Sequence, residues 1–261
     1  MLLQDKVVIV SGIGPGLGQE LAHAAVREGA AGVVLAARTE SYLKEVDGEL
    51  RAAGYEDTLV QPTDIAQREQ CDALIAATLE RFGRIDCLIN SAYTPGKGGM
   101  FETQDLAEWR VPIEVNVFGS LSLTQAAVGP MKAQGGGSVV FVNTMVQKKP
   151  LPTQGGYATS KGALTAASRQ LASELGPLGI RVNSVYMGWM WGPPVEGFIQ
   201  GSAKAQGIST DEVIAGITKD IPLRVIPDDA DCANAAIFLA SDHARAITGA
   251  SLDCNGGEWM P

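Results

Sequence analysis

Apolar residues along the chain fall into two alternating patterns. Short, nearly continuous runs rich in valine and isoleucine occupy residues 7–10, 33–36, 59–60, 85–89, 139–142, 180–185 and 250–252. Such runs suit strands buried on both faces, as in a parallel sheet covered by helices. Between them, alanine-rich stretches at 18–28, 40–53, 66–82, 106–131 and 157–175 are long enough for the crossover helices that parallel strands require. The alternation predicts a doubly wound α/β fold. No Pro/Ser-rich linker, charge block or internal repeat interrupts it, and Gly/Pro clusters at 94–99, 135–137 and 192–194 read as loops at strand ends. One domain over residues 1–261 is therefore expected. At 189–219 the alternation pauses for aromatics, two prolines and scattered glycines, a segment that reads as an insertion covering a site.

Composition narrows the chemistry. The 261 residues are 46% hydrophobic and 19% charged, which suits a folded chain with a sizeable core. Twenty Lys and Arg against 29 Asp and Glu give a net charge of −9, so there is no basic footprint for nucleic acid or an anionic membrane. Cys71, Cys87, Cys232 and Cys254 form no C-x-x-C pair, which points away from a disulfide framework or thiolate zinc site and toward a reducing compartment. His23 and His243 stand in no metal-ligand spacing, so no metal is expected and a histidine-dependent triad is disfavoured. The first residues lead into the run at 7–10 without a basic leader, and no apolar stretch approaches the ~18 residues of a membrane span. A cytoplasmic location is the expectation.

Ser11-Gly-Ile-Gly-Pro-Gly-Leu-Gly18 stands between the first predicted strand and helix. In that setting Gly12 takes the turn, Gly16 lets the backbone approach a pyrophosphate, Gly18 permits close helix packing, and the helix N-terminus faces the phosphates. The strand position outweighs the alternative of a plain tight turn. At the end of the second strand, Ala37 and Arg38 stand where an NAD site usually carries an acid for the ribose hydroxyls. An arginine there can pair with a 2′-phosphate, so NADP is favoured over NAD, although Arg38 is also compatible with a solvated residue or with stacking on adenine. Asp64 is placed either to accept from an adenine amino group or to cap a helix.

Tyr157-Ala-Thr-Ser-Lys161 puts a phenol and an ammonium on one helix face, with Cβ atoms about 5–6 Å apart. A fixed cation favours the phenolate of a group that otherwise titrates near ~10, which can make it an acid/base; alone, the same pair also suits a solvated face. Together with the Gly12/Gly16/Gly18 loop, Asp64, Asn90-Ser-Ala92, Asn116 in Val115-Asn-Val-Phe-Gly119, Ile180-Arg-Val-Asn-Ser184, Phe238-Leu-Ala-Ser241, Ile247-Thr-Gly249 and Asn255-Gly-Gly257, it makes the whole chain resemble the classical short-chain dehydrogenase/reductase family. The resemblance implies a Rossmann fold with a seven-stranded parallel sheet and helices on both faces. It also implies hydride transfer between a nicotinamide cofactor and an alcohol or carbonyl. Tyr157 would be the general acid/base, Lys161 would lower its pKa and hold the nicotinamide ribose, and Asn116 would hold the water of a proton relay. The cofactor would lie along Gly12, Gly16, Leu17, Gly18, Arg38, Asp64, Ile65, Asn90, Ala92, Gly188 and Met190. A homotetramer is the family expectation.

Three positions depart from the family pattern. Thr144 stands thirteen residues before the tyrosine, where the family has a serine; its hydroxyl can still donate to a carbonyl oxygen, while its methyl stiffens the rotamer, and Asn143 is a second candidate donor. Tyr93 replaces a glycine after Ala92 and is either close to the substrate or a loop anchor. Met187-Gly188 replaces Pro-Gly and leads into Trp189-Met-Trp191. With Tyr93, Met145 and Phe198, these two tryptophans would build an apolar, aromatic substrate pocket or else pack as core. The expected reaction is interconversion of a secondary alcohol and ketone on a bulky apolar or ring-containing molecule. The alternative is a nucleotide-binding sensor on the same fold that has lost catalysis. Reduction of an activated C=C bond ranks lower, because the enoyl-reductase branch of the family spaces its tyrosine and lysine by more than four residues.

Overall fold

The computed structural model describes residues 1–260; Pro261, the last residue of the span read as one domain, lies outside the described residues. Strands β1 (Val7–Ser11), β2 (Gly32–Ala37), β3 (Thr58–Pro62), β4 (Cys87–Asn90), β5 (Gly137–Thr144), β6 (Ile180–Met187) and β7 (Ser251–Cys254) form one parallel sheet in the order β3-β2-β1-β4-β5-β6-β7. Every neighbouring pair is parallel, with Val8 opposite Val33 on one side of β1 and Cys87 on the other. Strand order reverses between β1 and β4, which opens a crevice beyond their C-terminal ends.

Alternate residues of each strand feed two different cores. On one face Val8, Val10, Val33, Leu35, Val140 and Val142 pack against α1 (Leu17–Arg27), α2 (Glu40–Ala52) and α9 (Asp229–Ala240). On the other face Ile9, Val34, Leu88, Val139 and Phe141 pack against α3 (Arg68–Phe82), α5 (Ser120–Ala133) and α6 (Gly155–Leu175). A strand covered on both sides has no polar face, which is why the sequence shows continuous apolar runs.

The structure differs from the sequence reading in three places. The stretch at 106–131 is not one regular helix: α4 (Ala107–Pro112) passes into a π-helical segment, Ile113–Gly119, before α5 begins. The Gly/Pro cluster at 192–194 is not simply a loop, because Pro193 and Pro194 open α7 (Pro193–Gln206), where their missing N–H groups cost nothing. Together with α8 (Thr210–Thr218), which Ser209 and Glu212 start with a capping box, α7 forms a helical unit with its own small core of Ile199, Ala203, Val213, Ile221 and Ile226. Third, α9 has no counterpart in the sequence reading. Its buried Cys232, Ala233, Ala236, Ile237, Leu239 and Ala240 leave little amphipathic period to detect. No helix among the described residues is long and apolar enough to cross a membrane.

Candidate active site

The loop after β1 is built by close backbone approach. Gly12 and Gly16 adopt φ of 95° and 97°, a region that favours glycine. A Cβ on Gly12 would lie 2.2 Å from the Ala92 backbone nitrogen, and one on Gly18 would lie 2.1 Å from the Gly12 carbonyl oxygen. Around Gly14, by contrast, a Cβ would meet nothing within 4 Å, so the loop is tight toward the protein and open toward the crevice. The first turn of α1 follows directly, and its Leu17 and Gly18 line that opening.

Two adjoining cavities, of about 450 and 370 Å³, run along the crevice and share Gly12, Gly14, Tyr93 and Pro194 as walls. The larger is lined by Arg38, Asp64, Ile65 and Ala92. Arg38 is exposed and forms no ion pair with the described residues. Asp64 does not cap a helix, because α3 starts only at Arg68 after Gln67; one of its carboxylate oxygens accepts from the Ala66 N–H at 3.0 Å within the intervening turn, and the residue still faces the cavity. The smaller cavity brings together Leu17, Gly18, Thr144, Tyr157, Lys161, Gly188, Trp189 and Met190.

Several residues singled out in the sequence lie elsewhere. Asn90 points into the core, donating to Thr124 Oγ1 at 3.1 Å, while the neighbouring Ser91 and Ala92 face the crevice. Gly16 and Trp191 line a separate small cavity, which shares Asp229 with the smaller of the two crevice cavities. Trp191 is held there by the bond from its N–H to Pro227 O at 2.7 Å. Met145 is buried against Gly188, and Phe198 reaches the site only through Trp189, ring centroids 5.3 Å apart. The wide aromatic pocket expected from five residues is thus narrowed to Tyr93 and Trp189. The Asn116 side chain is fully engaged: both amide hydrogens are donated, to Thr94 O at 3.0 Å and Ser160 Oγ at 2.9 Å, and its oxygen accepts from the Thr94 N–H at 2.8 Å. This side chain clamps the loop after β4 and keeps no amide hydrogen for a relay water.

Tyr157 is placed by its own neighbours. Gly155 and Gly156 start α6 against Trp109, where Cβ atoms would come within 2.3 and 3.1 Å of that side chain, so the phenol stands at the helix mouth facing the cleft. Lys161, one turn on, is 3% exposed and donates from Nζ to the Val142 carbonyl at 2.7 Å. Its Nζ is 6.0 Å from the Tyr157 ring and 5.8 Å from that of Tyr93. Burial lowers the Lys161 ammonium from 10.5 to about 7. Burial also pushes the Tyr157 phenol up, the Tyr93 phenol adds to this, and the Thr144 hydroxyl pulls it down. Thr144 Oγ1 accepts from the Val146 N–H at 3.3 Å, and its own hydrogen can donate on the cleft side, toward the Tyr157 oxygen that it pulls down. Beside it Asn143 donates to Thr165 at 3.1 Å, while its buried side-chain oxygen has no partner. The loop that follows is pinned to the C-terminal segment by Lys148–Asp253 and Lys149–Glu258 ion pairs of 2.7 and 2.9 Å.

Gln154, Val195 and Asp229 are walls of the smaller cavity that sequence reasoning missed. For Asp229 a signal existed, because Pro227-Asp-Asp-Ala-Asp231 ahead of an apolar run is the acidic signature of a helix start. Among the described residues no cluster of three or more His, Cys, Asp or Glu could hold a metal ion.

A family model described as enoyl-(acyl carrier protein) reductase matches residues 12–258. The chain is 32% identical to 2,5-dichloro-2,5-cyclohexadiene-1,4-diol dehydrogenase of Sphingobium indicum, over 98% of this chain and 96% of that protein. It is 30% identical to trans-4-hydroxycyclohexanecarboxylate dehydrogenase of Sinomonas cyclohexanicum, over 97% and 93%. The crystal structure of L-sorbose reductase from Gluconobacter frateurii, complexed with NADPH and L-sorbose, superposes with a TM-score of 0.92 at 27% identity, covering 99% of this chain and 98% of that one. The chain belongs to the classical short-chain dehydrogenase/reductase family.

Proposed function

We propose that the protein is a nicotinamide-dependent oxidoreductase that interconverts a secondary alcohol and a ketone on a ring-containing or bulky apolar substrate. The observation that carries this reading is the meeting of the Tyr157 phenol, the Thr144 hydroxyl and the Lys161 ammonium on the wall of one cavity that continues past the glycine loop into a second. The chain fits a dinucleotide along this path. Its cradle excludes side chains at Gly12 and Gly18, opens at Gly14 and ends on the N-terminus of α1, and Ser11 Oγ is buried there without a partner. Gly12, Gly14 and the first turn of α1 would hold the pyrophosphate. Arg38 would face the adenosine ribose and favours a 2′-phosphate, hence NADP over NAD. Lys161 and the backbone at Gly188 and Met190 would hold the nicotinamide end.

The cofactor supplies or accepts the hydride. The rest falls to the chain. Thr144 turns its hydroxyl hydrogen to the substrate oxygen and, with the Tyr157 O–H, stabilises negative charge as it develops there. Desolvation keeps the proton on Tyr157, so the phenol is ready as the acid of ketone reduction. In the reverse direction it must lose that proton, and Lys161 favours the phenolate only while it keeps its own, which its burial opposes. Tyr93 and Trp189 give the substrate end of the cleft flat apolar walls. By their names, the two dehydrogenases above act on a cyclohexadiene diol and on a hydroxycyclohexane carboxylate, which supports a ring-borne secondary alcohol here.

The test is a titration with NADPH and NADH, followed by a panel of cyclic and aromatic secondary alcohols, the matching ketones and activated enoyl thioesters. Tighter NADPH binding and turnover of cyclic ketones are expected. Tighter NADH binding removes the inference from Arg38. Binding without turnover across the panel assigns the protein to nucleotide sensing, and turnover confined to enoyl thioesters assigns it to C=C reduction.

A further inference from the structure

Asp229 is a buried acid that the proposed reaction does not use. It is the first residue of α9, it is 7% exposed, and it lines the smaller cavity. Its carboxylate is wedged between two glycines from different elements. A Cβ on Gly16 would lie 2.5 Å from Asp229 Oδ2, and one on Gly192, the residue before α7, would lie 1.9 Å from the same oxygen. The carboxylate therefore rests on the bare backbone of the glycine loop. It accepts no hydrogen bond from the described residues; only the Asp229 backbone N–H is bonded, to Trp191 O at 3.1 Å.

The charged side chains that act on it are all acids. Three helix starts converge here, those of α1, α7 and α9, and each carries an acid in its first turn: Glu20, Glu196 and Asp229 itself with Asp231. Desolvation first, then Glu20, Asp228 and Glu196, raise the Asp229 carboxyl to about 6. The charge of Asp229 in turn raises the Tyr93 phenol and the Cys232 thiol. No cation is among the groups acting on it.

A diphosphate at the start of α1 brings further negative charge to the backbone on which this carboxylate rests. We propose that Asp229 is a residue of the nucleotide site, walling the pyrophosphate end of the cleft and taking up one proton from solvent when a dinucleotide binds. This rests on the nicotinamide reading above. Uptake removes a like charge and turns an acceptor-only group into an O–H donor, the form suited to a phosphate oxygen. By linkage, a site that gains a proton on binding binds more tightly as pH falls.

Calorimetric titration of NADH and NADPH in buffers of different ionisation enthalpy counts the protons. NADH is included because a phosphate monoester such as the 2′-phosphate of NADPH itself titrates near ~6. At neutral pH the wild type is expected to take up nearly one proton per nucleotide. Its affinity should weaken by up to about tenfold per pH unit above the Asp229 titration. Asp229→Asn should remove that uptake, flatten the profile and bind more tightly at pH 8. Glu20→Gln, which keeps Asp229 and removes one like charge, should move the onset of weakening to lower pH, and it decides the matter if the Asn variant does not fold. Equal proton uptake in the wild type and Asp229→Asn, or an unmoved onset in Glu20→Gln, overturns the inference while leaving the nicotinamide reading intact. Absence of nucleotide binding by the wild type defeats both.

Discussion

At the residue scale, the pair Tyr157 and Lys161 is arranged against its own stability. A lysine 3% exposed, with a single recorded carbonyl partner, is held near 7 against an ordinary value of 10.5. Between those values the unfolded chain binds more protons than the folded one, so the Lys161 contribution makes the folded protein more stable as pH rises from about 7 toward 10.5. Lys161→Met is expected to flatten that rise and to stabilise the ligand-free protein at pH 7 by about 1 kcal/mol or more while abolishing turnover. Denaturant titrations of both proteins across pH check this; superimposable pH profiles would show that burial does not perturb the amine. The raised phenol has its own sign. Alcohol oxidation needs Tyr157 deprotonated and is expected to accelerate with rising pH, whereas ketone reduction needs the protonated form. Thr144→Ser should keep or raise activity, and Thr144→Val, which retains the shape but loses the donor, should lower kcat by about 10²-fold or more. Indifference to both changes would reduce Thr144 to packing.

At the scale of elements, the unusual piece is the π-helical segment Ile113–Gly119. It carries Asn116 into the core, where the side chain joins the loop at Thr94 to Ser160 on α6, and Ser160 in turn donates to the Tyr157 carbonyl at 2.7 Å. One asparagine thereby fixes the cleft wall and the helix that presents the phenol. Asn116→Ala leaves several buried groups unpaired and should cost about 2–3 kcal/mol of stability and raise the KM for cofactor, read by thermal melts and initial rates. Unchanged values would mean that the clamp is dispensable. The inner strands were legible in the sequence because double burial writes itself as continuous apolar runs, whereas the edge strands β3 and β7, only partly buried, left the short runs at 59–60 and 250–252; the glycine loop was legible because backbone crowding admits no Cβ. The side-chain commitments of Asn90, Asn116 and Trp191 were not. An asparagine or tryptophan looks the same in sequence whether it faces a ligand or a neighbouring helix, and only the folded register decides, through the bonds of Asn90 to Thr124 and Asn116 to Ser160 and the backbone bond that fixes Trp191 to Pro227. The α9 start was readable only as acids before an apolar run, with nothing to say that Asp229 folds back onto Gly16.

At the scale of the molecule, the sheet reversal between β1 and β4 supplies the crevice, the loops beyond β1, β4 and β5 line it, and the start of α7 adds Pro194 and Val195 to its wall. Leu106, Val111 and Phe118 leave apolar surface exposed along α4 and the π-helical segment, about half or more of each side chain. Phe118 is the one of these nearest the long helices that the resemblance to the family assigns to tetramer packing, so it is where that expectation is tested. Phe118→Glu is expected to lower the mass measured by sedimentation, and a wild-type protein that sediments as a monomer would remove that expectation. The central claim remains the phenol at the mouth of α6. Its most direct test is the consumption of reduced nicotinamide by the wild type and by Tyr157→Phe with the same cyclic ketone, alongside the cofactor dissociation constant of each. The account predicts loss of nearly all turnover with cofactor affinity changed little; turnover close to wild type in Tyr157→Phe would contradict it.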